Sequence, residues 1–141
     1  MKKLFIDTNI VIDLLSAREP FYEETALLFS LADRRIVEMS ISSLSIANTH
    51  YILKQQIGSE KAQSTLRKLI QIVNTLPLDE KIIALALNDD TFTDFEDAIQ
   101  YFTAIVSNQD LIVTRNLKDY KHSKLPVMTA KQFLGSSGYK T

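Results

Sequence analysis

The stretch LFIDTN, residues 4–9, decides how this sequence folds. Leu4, Phe5 and Ile6 are typical of the end of a buried strand, but Asp7, which follows at once, belongs to a residue type that strands and interiors avoid. In open α/β sheets the ligand crevice lies outside the carboxyl ends of the strands. We therefore expect Asp7 to lie at such an end, where a ligand binds.

The composition is that of one domain without disulfide bonds. The chain has 141 residues and no cysteine, which excludes disulfides and thiolate metal sites. We predict a single domain over residues 1–134 and a flexible tail over residues 135–141. No stretch approaches the roughly 20 apolar residues of a membrane span, and the N-terminal apolar run is interrupted at Asp7. A cytoplasmic protein without a membrane segment is expected.

Strand-like and helix-like patterns alternate along the chain. In SEKAQSTLRKLIQIV, residues 59–73, apolar side chains recur on one face at the helical period. Strands are predicted near residues 2–6, 36–41, 75–78, 110–114 and 126–129, and helices near 9–16, 20–33, 43–56, 59–73, 79–89 and 94–108. Ser43 and Ser59 are expected as N-caps and Pro20 at an early helix position. Helical crossovers between strands predict an α/β fold, a three-layer α/β/α sandwich with a mostly parallel central sheet.

Acidic residues collect at the start of the helix predicted at 94–108. Helix N-termini favour negative charge, and this preference explains some of these acids. It also explains Asp7 if Asp7 is the N-cap of the helix that follows it. Asp97 is different because it borders the buried side, where a carboxylate needs a cation or hydrogen-bond donors. Asp94 lies one turn earlier, close enough to reach the same ligand.

A third polar group follows the strand DLIVT at residues 110–114. Thr114, Asn116 and Asp119 come just past its carboxyl end. An Asx-type turn explains any one of them, but three acidic regions meeting at one sheet edge favour a ligand site. Clusters of oxygen ligands suit Mg²⁺ or Mn²⁺, and such ions promote phosphoryl transfer.

The formal net charge of −1 argues against a protein that coats nucleic acid indiscriminately. A local basic patch is still compatible with this charge, and the segment RNLKDYKHSK, residues 115–124, is the candidate for it. Tyr120 of this segment would supply a stacking ring. The cations expected to contact RNA phosphates are Arg115, Lys118, Lys121 and Lys124. A solvated loop is the alternative interpretation of the same composition.

Four blocks of the sequence together resemble a known family. FIDTNIVIDLL, ISSLSIANTHYILKQ, DFEDAIQYFTA and LIVTRNLKDYKHSKLPVMTAKQFL are similar, in this order, to the successive blocks of a PIN domain. The resemblance implies an α/β/α sandwich whose carboxylates gather around Mg²⁺ or Mn²⁺ to cleave RNA. Many small bacterial members of this family are VapC-type toxins, commonly dimeric, so an antitoxin partner and a homodimer are implied as well.

The resemblance also assigns roles to particular residues. The expected catalytic residues are Asp7, Asp97, Asp119, Asn116 and Asn48; the expected metal ligands are Asp7 and Asp97, with Asp94 added from its spacing; the expected supporting residues are Thr8, Asn9 and Thr114. The departure lies at Asn48, where the family pattern usually has Glu or Asp, and Asn116 likewise replaces a frequent Asp. Both substitutions remove charge and should weaken metal binding.

Three hypotheses follow from these observations. The first is a metal-dependent ribonuclease. The second is a PIN-fold module that has lost catalysis and binds RNA or a protein, and the two Asn residues motivate it. The third is a phosphatase or receiver-like domain with a phosphorylated strand-end Asp, but dehalogenase-type phosphatases need a second Asp at the position of Asn9.

Overall fold

The computed structural model describes residues 1–136 and contains one five-stranded sheet. The strands are β1 (Lys3–Ile6), β2 (Glu38–Ser42), β3 (Asn74–Leu76), β4 (Leu111–Val113) and β5 (Val127–Met128). Their order is β3-β2-β1-β4-β5, and every neighbouring pair is parallel. The predicted α/β class and mostly parallel sheet are confirmed, and β1 is the central strand.

Helices connect the strands as crossovers. They are α1 (Thr8–Leu15), α2 (Tyr22–Asp33), α3 (Ser43–Ile57), α4 (Ser59–Leu69), α5 (Glu80–Leu87), α6 (Phe95–Val106) and α7 (Ala130–Ser136), with a 3₁₀ turn at Leu117–Tyr120. Each predicted helix is present with its ends shifted by a few residues, whereas the 3₁₀ turn and α7 were not predicted. Within residues 1–136, no helix combines the length and apolar character needed to cross a bilayer.

The central strand is buried on both of its faces. Leu4 and Ile6 point into a large core formed with α1, α2, α3, α4 and α7. Phe5, which lies between them in sequence, points into a second core that contains Tyr101 of α6 and Tyr120 of the 3₁₀ turn. Because side chains alternate along a strand, the helices on opposite faces form the outer layers of a sandwich.

Three predicted helix-start residues are wrong. Helix α3 is capped by Ser42, whose Oγ accepts a hydrogen bond from the backbone N–H of Ser45, so Ser43 is already inside the helix. Helix α4 begins at Ser59 after Gly58, whose φ of +87° ends α3 and turns the chain. Pro20 lies in the turn before α2. Period and composition locate a helix but resolve its first residue poorly.

The domain and tail prediction is only partly covered by the structure. Of the residues predicted as a tail, Gly135 and Ser136 end helix α7, and residues 137–141 lie outside the described part of the chain. The single domain over residues 1–134 stays a prediction.

The central position of β1 leads to a stability prediction. Ile6→Ala is expected to lower the free energy of unfolding by about 3 kcal/mol, because the Ile6 side chain of β1 is completely buried in the larger core. Ile57→Ala, at the exposed end of α3, is the matched control and should change it by less than about 1 kcal/mol. Urea denaturation measures both. Equal losses in the two variants would contradict the assigned core.

Candidate functional site

An open pocket of about 450 Å³ lies where β1 and β4 end. Residues that follow β1 form its floor, α3 forms one wall, and the start of α6 faces that wall. The polar residues that line it are Asp7, Thr8, Asn9, Asn48, Asp94, Glu96, Asp97, Gln100, Asn116 and Asp119. The acidic regions predicted to converge are thus brought to one pocket, together with Thr8, Asn9 and both of the substituted Asn residues.

Asp7 anchors the floor of the pocket through both carboxylate oxygens. Oδ1 accepts a hydrogen bond from the backbone N–H of Thr8 at 2.8 Å, so Asp7 is the N-cap of α1. Oδ2 accepts one from the Thr114 hydroxyl at 2.8 Å and one from the Asn9 amide at 3.3 Å. The capping and ligand-site interpretations of Asp7 are therefore compatible, and Asn9 and Thr114 occupy their predicted positions beside it.

Burial of Asp7 opposes its negative charge. The residue is 7% exposed, and this burial raises the pKa of its carboxyl above the ordinary value. Hydrogen bonds from Thr114 and Thr8 lower the pKa and offset part of this effect. The buried Tyr120 hydroxyl also lowers the pKa of Asp7 because it lies close to this carboxylate. It forms no well-aligned hydrogen bond within residues 1–136.

A buried polar network beneath the pocket was not predicted. The Gln100 side-chain N–H groups donate to the Ser45 hydroxyl at 2.7 Å, to the Thr8 hydroxyl at 3.2 Å and to Asp7 Oδ1 at 3.4 Å. Gln100 therefore ties α6 to α1 and α3. The sequence signal for it was a polar residue one turn after Asp97, on the buried face of α6.

Asp97 is a second acid of the pocket whose surroundings oppose its ionised form. It is half-buried, and its pKa is raised to about 7, first by burial and then by the negative charges of Asp119, Asp94, Asp7 and Glu96. A carboxyl surrounded by this many like charges favours either a proton or a cation. This distribution of charge favours a positively charged ligand over an anion in the pocket.

The remaining predicted site residues differ in their hydrogen bonds and in their exposure. Asp94 caps α6, with Oδ1 accepting from the backbone N–H groups of Glu96 and Asp97 at 2.8 and 3.2 Å, which leaves Oδ2 free of a capping bond. Asn116 and Asp119 are exposed, at the start of the 3₁₀ turn and within it. Both border the pocket, as the sequence predicted.

Asn48 projects from α3 across to α6. Its amide donates a hydrogen bond to Glu96 Oε1 at 2.9 Å, and both side chains line the pocket. Glu96 belongs to the acidic start of α6 but was not among the predicted site residues. The contact between the two could not be anticipated, because 48 residues of sequence separate them.

The basic segment differs from its prediction at two residues. Arg115 donates to both carboxylate oxygens of Asp13, at 2.7 and 3.2 Å, and its guanidinium lies 4.2 Å from the centre of the Phe21 ring. Arg115 therefore points away from the acid pocket. Tyr120 is 1% exposed and packs in the core, so it offers no stacking surface.

The three lysines of the segment are exposed to solvent. Lys118, Lys121 and Lys124 are all solvent-exposed but do not line the acid pocket. Their assignment as RNA contacts stays a prediction. The backbone N–H of Lys124 donates to the Tyr101 hydroxyl, which fixes the path of this segment over α6.

The donors around the pocket fit a hydrated cation better than a fully liganded one. Within residues 1–136, no three acidic or histidine side chains lie close enough together to form a preformed metal cage. Mg²⁺, however, typically keeps several waters and uses only one or two carboxylates. Asp7 and Asp97, with neutral amide oxygens nearby, supply such a donor set.

Comparisons with known proteins agree with the fold. A family model for the PIN domain matches residues 3–118. The chain is similar to Ribonuclease VapC1 of Aquifex aeolicus (strain VF5), with 29% identity over 138 residues that cover 94% of this chain and 93% of the relative.

Solved structures with the same fold include a toxin-antitoxin complex from Klebsiella pneumoniae, with 23% identity, a TM-score of 0.67 and coverage of 90% of this chain and 97% of that one. VapBC2 from Rickettsia felis, bound to a promoter DNA fragment, has 21% identity, a TM-score of 0.65 and coverage of 89% and 96%. At these identities the structures support the three-layer fold.

The raised pKa of Asp97 predicts a pH dependence of stability in the metal-free protein. Between pH 3.8 and about 7 the folded state keeps a proton that the unfolded state has released, so this residue's contribution to the free energy of unfolding falls as the pH rises. Asp97→Asn cannot ionise and should gain stability relative to wild type above pH 7. Thermal melts in EDTA across this range measure the difference. A difference that does not change with pH would contradict the assignment.

The Arg115–Asp13 ion pair predicts a second stability effect. Arg115→Met should lower the free energy of unfolding by about 3 kcal/mol, because it leaves the fully buried carboxylate of Asp13 without its partner. Adding Asp13→Leu should recover most of the loss. Lys121→Met, which removes an exposed cation of the same segment, should change the value by less than about 1 kcal/mol. Denaturant unfolding of the variants tests this, and an undiminished loss in the double variant would oppose it.

Proposed function

Because this chain belongs to the PIN domain family, we propose that it is an endoribonuclease that uses Mg²⁺ or Mn²⁺ at the acid pocket to cleave RNA phosphodiester bonds. The similarity to Ribonuclease VapC1 over nearly the whole of both chains supports the reaction. The observation that carries the proposal is the convergence of Asp7 and Asp97, which are 90 residues apart in sequence, on one pocket at the end of the central strand.

The charges of the pocket support a divalent cation as the cofactor. Burial acts against the ionised form of Asp7, and burial together with the neighbouring carboxylates acts against that of Asp97. A bound cation reverses both effects, since an opposite charge within a few ångströms favours the carboxylate. When bound, such an ion activates water and neutralises charge on the reacting phosphate.

Each residue of the site then has a defined task. Asp7 and Asp97 would hold the ion, and Asp94 would assist them through Oδ2, which makes no capping bond. Thr114 and Asn9 keep the Asp7 carboxylate in one orientation through their hydrogen bonds. Holding a reacting group in a fixed position lowers the barrier because less freedom is lost at the transition state.

The exposed edge of the pocket suits the RNA. Asp119 and Asn116 lie at the solvent side, where they can orient a water and a phosphate oxygen. Lys118, Lys121 and Lys124 follow in the same segment and are assigned to phosphates further along the strand. This arrangement gives affinity through backbone charge and leaves sequence preference to contacts with bases.

We further propose that the protein is the toxin of a toxin–antitoxin pair, acts in the cytoplasm and forms a homodimer. The similarity of the fold to a toxin-antitoxin complex from Klebsiella pneumoniae supports the antitoxin partner. Such a partner would restrain an enzyme whose RNA substrate is present throughout the cell.

A binding module without catalysis is the second candidate. Asn48 and Asn116 stand where the family pattern often has acids, and the loss of two charges lowers metal affinity. In that case the pocket would hold RNA or a protein without cleaving it.

The proposal is tested with a mixed-sequence single-stranded RNA. We expect cleavage in Mn²⁺ and in Mg²⁺, none in EDTA, and a loss of roughly 100-fold or more in Asp7→Asn and Asp97→Asn, which lack the charge that holds the ion. Asp33→Asn, at the end of α2 and outside the acid pocket, is the matched control and should cleave like wild type.

Two results would reject the nuclease. Cleavage that persists in EDTA, or equally in Asp97→Asn, would assign it to another site or to a contaminant. A folded wild-type protein that binds the RNA in Mn²⁺ without cleaving it would favour the binding module instead.

A further inference from the structure

The hydrogen bond between Asn48 and Glu96 indicates a role for the amide at position 48. We propose that Glu96 supplies the carboxylate charge that position 48 lacks, and that Asn48 positions Glu96 toward the metal ion. The inference rests on the proposed function, because it concerns the same ion in the same pocket. Glu96 would be a metal-facing carboxylate, and Asn48 a positioning residue that acts through it.

The positions of Asn48 and Glu96 support these two roles. Asn48 lies on the α3 wall, and Glu96 lies in the first turn of α6, next to Asp97. The Asn48 amide reaches across and donates to Glu96 Oε1 at 2.9 Å, which leaves the second carboxylate oxygen available. A long side chain that is otherwise exposed is thereby held at the edge of the pocket rather than free in solvent.

The charges explain why an amide is needed at position 48. A carboxylate there would place two anions at hydrogen-bond distance and would repel Glu96. An amide instead donates to the carboxylate and fixes its direction. Glu96 and Asp97 are neighbours in the first turn of α6, and both line the pocket. In this arrangement Glu96 supplies from α6 the negative charge that Asn48 does not supply from α3.

A separate feature of the pocket is a buried acceptor without a partner. Gln100 is 3% exposed and lines the pocket, and its side-chain oxygen Oε1 has no hydrogen-bond partner among residues 1–136. Buried acceptors are almost always satisfied in folded proteins, by protein groups or by ordered water. Water bound to a cation in the pocket would donate to this oxygen, and the same cation would compensate the charge of the acids around it.

Metal affinity measured without RNA tests the proposal directly. Mn²⁺ is titrated into the full-length protein, and free Mn²⁺ is followed by electron paramagnetic resonance. Glu96→Gln, which keeps the shape and removes the charge, should raise the Kd at least about tenfold. Glu60→Gln in the first turn of α4 removes the same charge from another helix start and should leave the Kd unchanged. Circular dichroism checks that both variants are folded.

A rescue variant separates a metal-facing charge from a merely structural effect. Asn48→Asp combined with Glu96→Gln returns the charge to α3 and lets the amide introduced at position 96 donate to it, so the Kd should return to within about threefold of wild type. An unchanged Kd in Glu96→Gln, or no recovery in the double variant, would overturn the role of Glu96.

The failure of the proposed function has a different pattern. If the wild type binds Mn²⁺ and Asp97→Asn does not, the metal site stands and only the role of Glu96 is decided by the two variants above. If the wild type itself binds no Mn²⁺, the metal site is rejected and the inference falls with it.

Discussion

The carboxylate of Asp7 at the end of the central strand is the constraint on which the site depends. A strand buried on both faces delivers this group into an environment with little solvent, where an ionised carboxyl is unfavourable unless donors or a cation compensate. Donors from three parts of the chain meet it: Thr8 from α1, Thr114 after β4, and Gln100 from α6. The parallel sheet makes this possible because β1 and β4 end at the same edge.

The electrostatics of the pocket follow from the same geometry. The start of α6 attracts acids because its backbone N–H groups have no partner within the helix, and Asp94 satisfies two of them. The fold then brings this acidic helix start against Asp7, which places like charges around Asp97. The resulting repulsion opposes the ionised form of Asp97 and, in the proposed function, favours the binding of a cation.

The sequence was sufficient for the fold and for the main acids, and insufficient for contacts between distant side chains. Helical and strand periods, with Asp7 and Asn116 at strand ends, located the pocket because parallel topology brings such ends together. They could not reveal that Arg115 pairs with Asp13 or that Tyr120 is buried. The composition of a basic segment does not distinguish side chains that are solvated from side chains that pack against the protein. Gln100 and Glu96 were missed for a related reason, because their partners lie on other elements.

The divalent cation proposed for the acid pocket would lie between Asp7 and Asp97. Anomalous diffraction from crystals soaked in Mn²⁺ tests it most directly, because manganese is located without reference to activity. We expect a peak in the pocket, within about 2.5 Å of a carboxylate oxygen of one of these residues. A pocket without a peak, in crystals where Mn²⁺ is bound at another site, would contradict the claim.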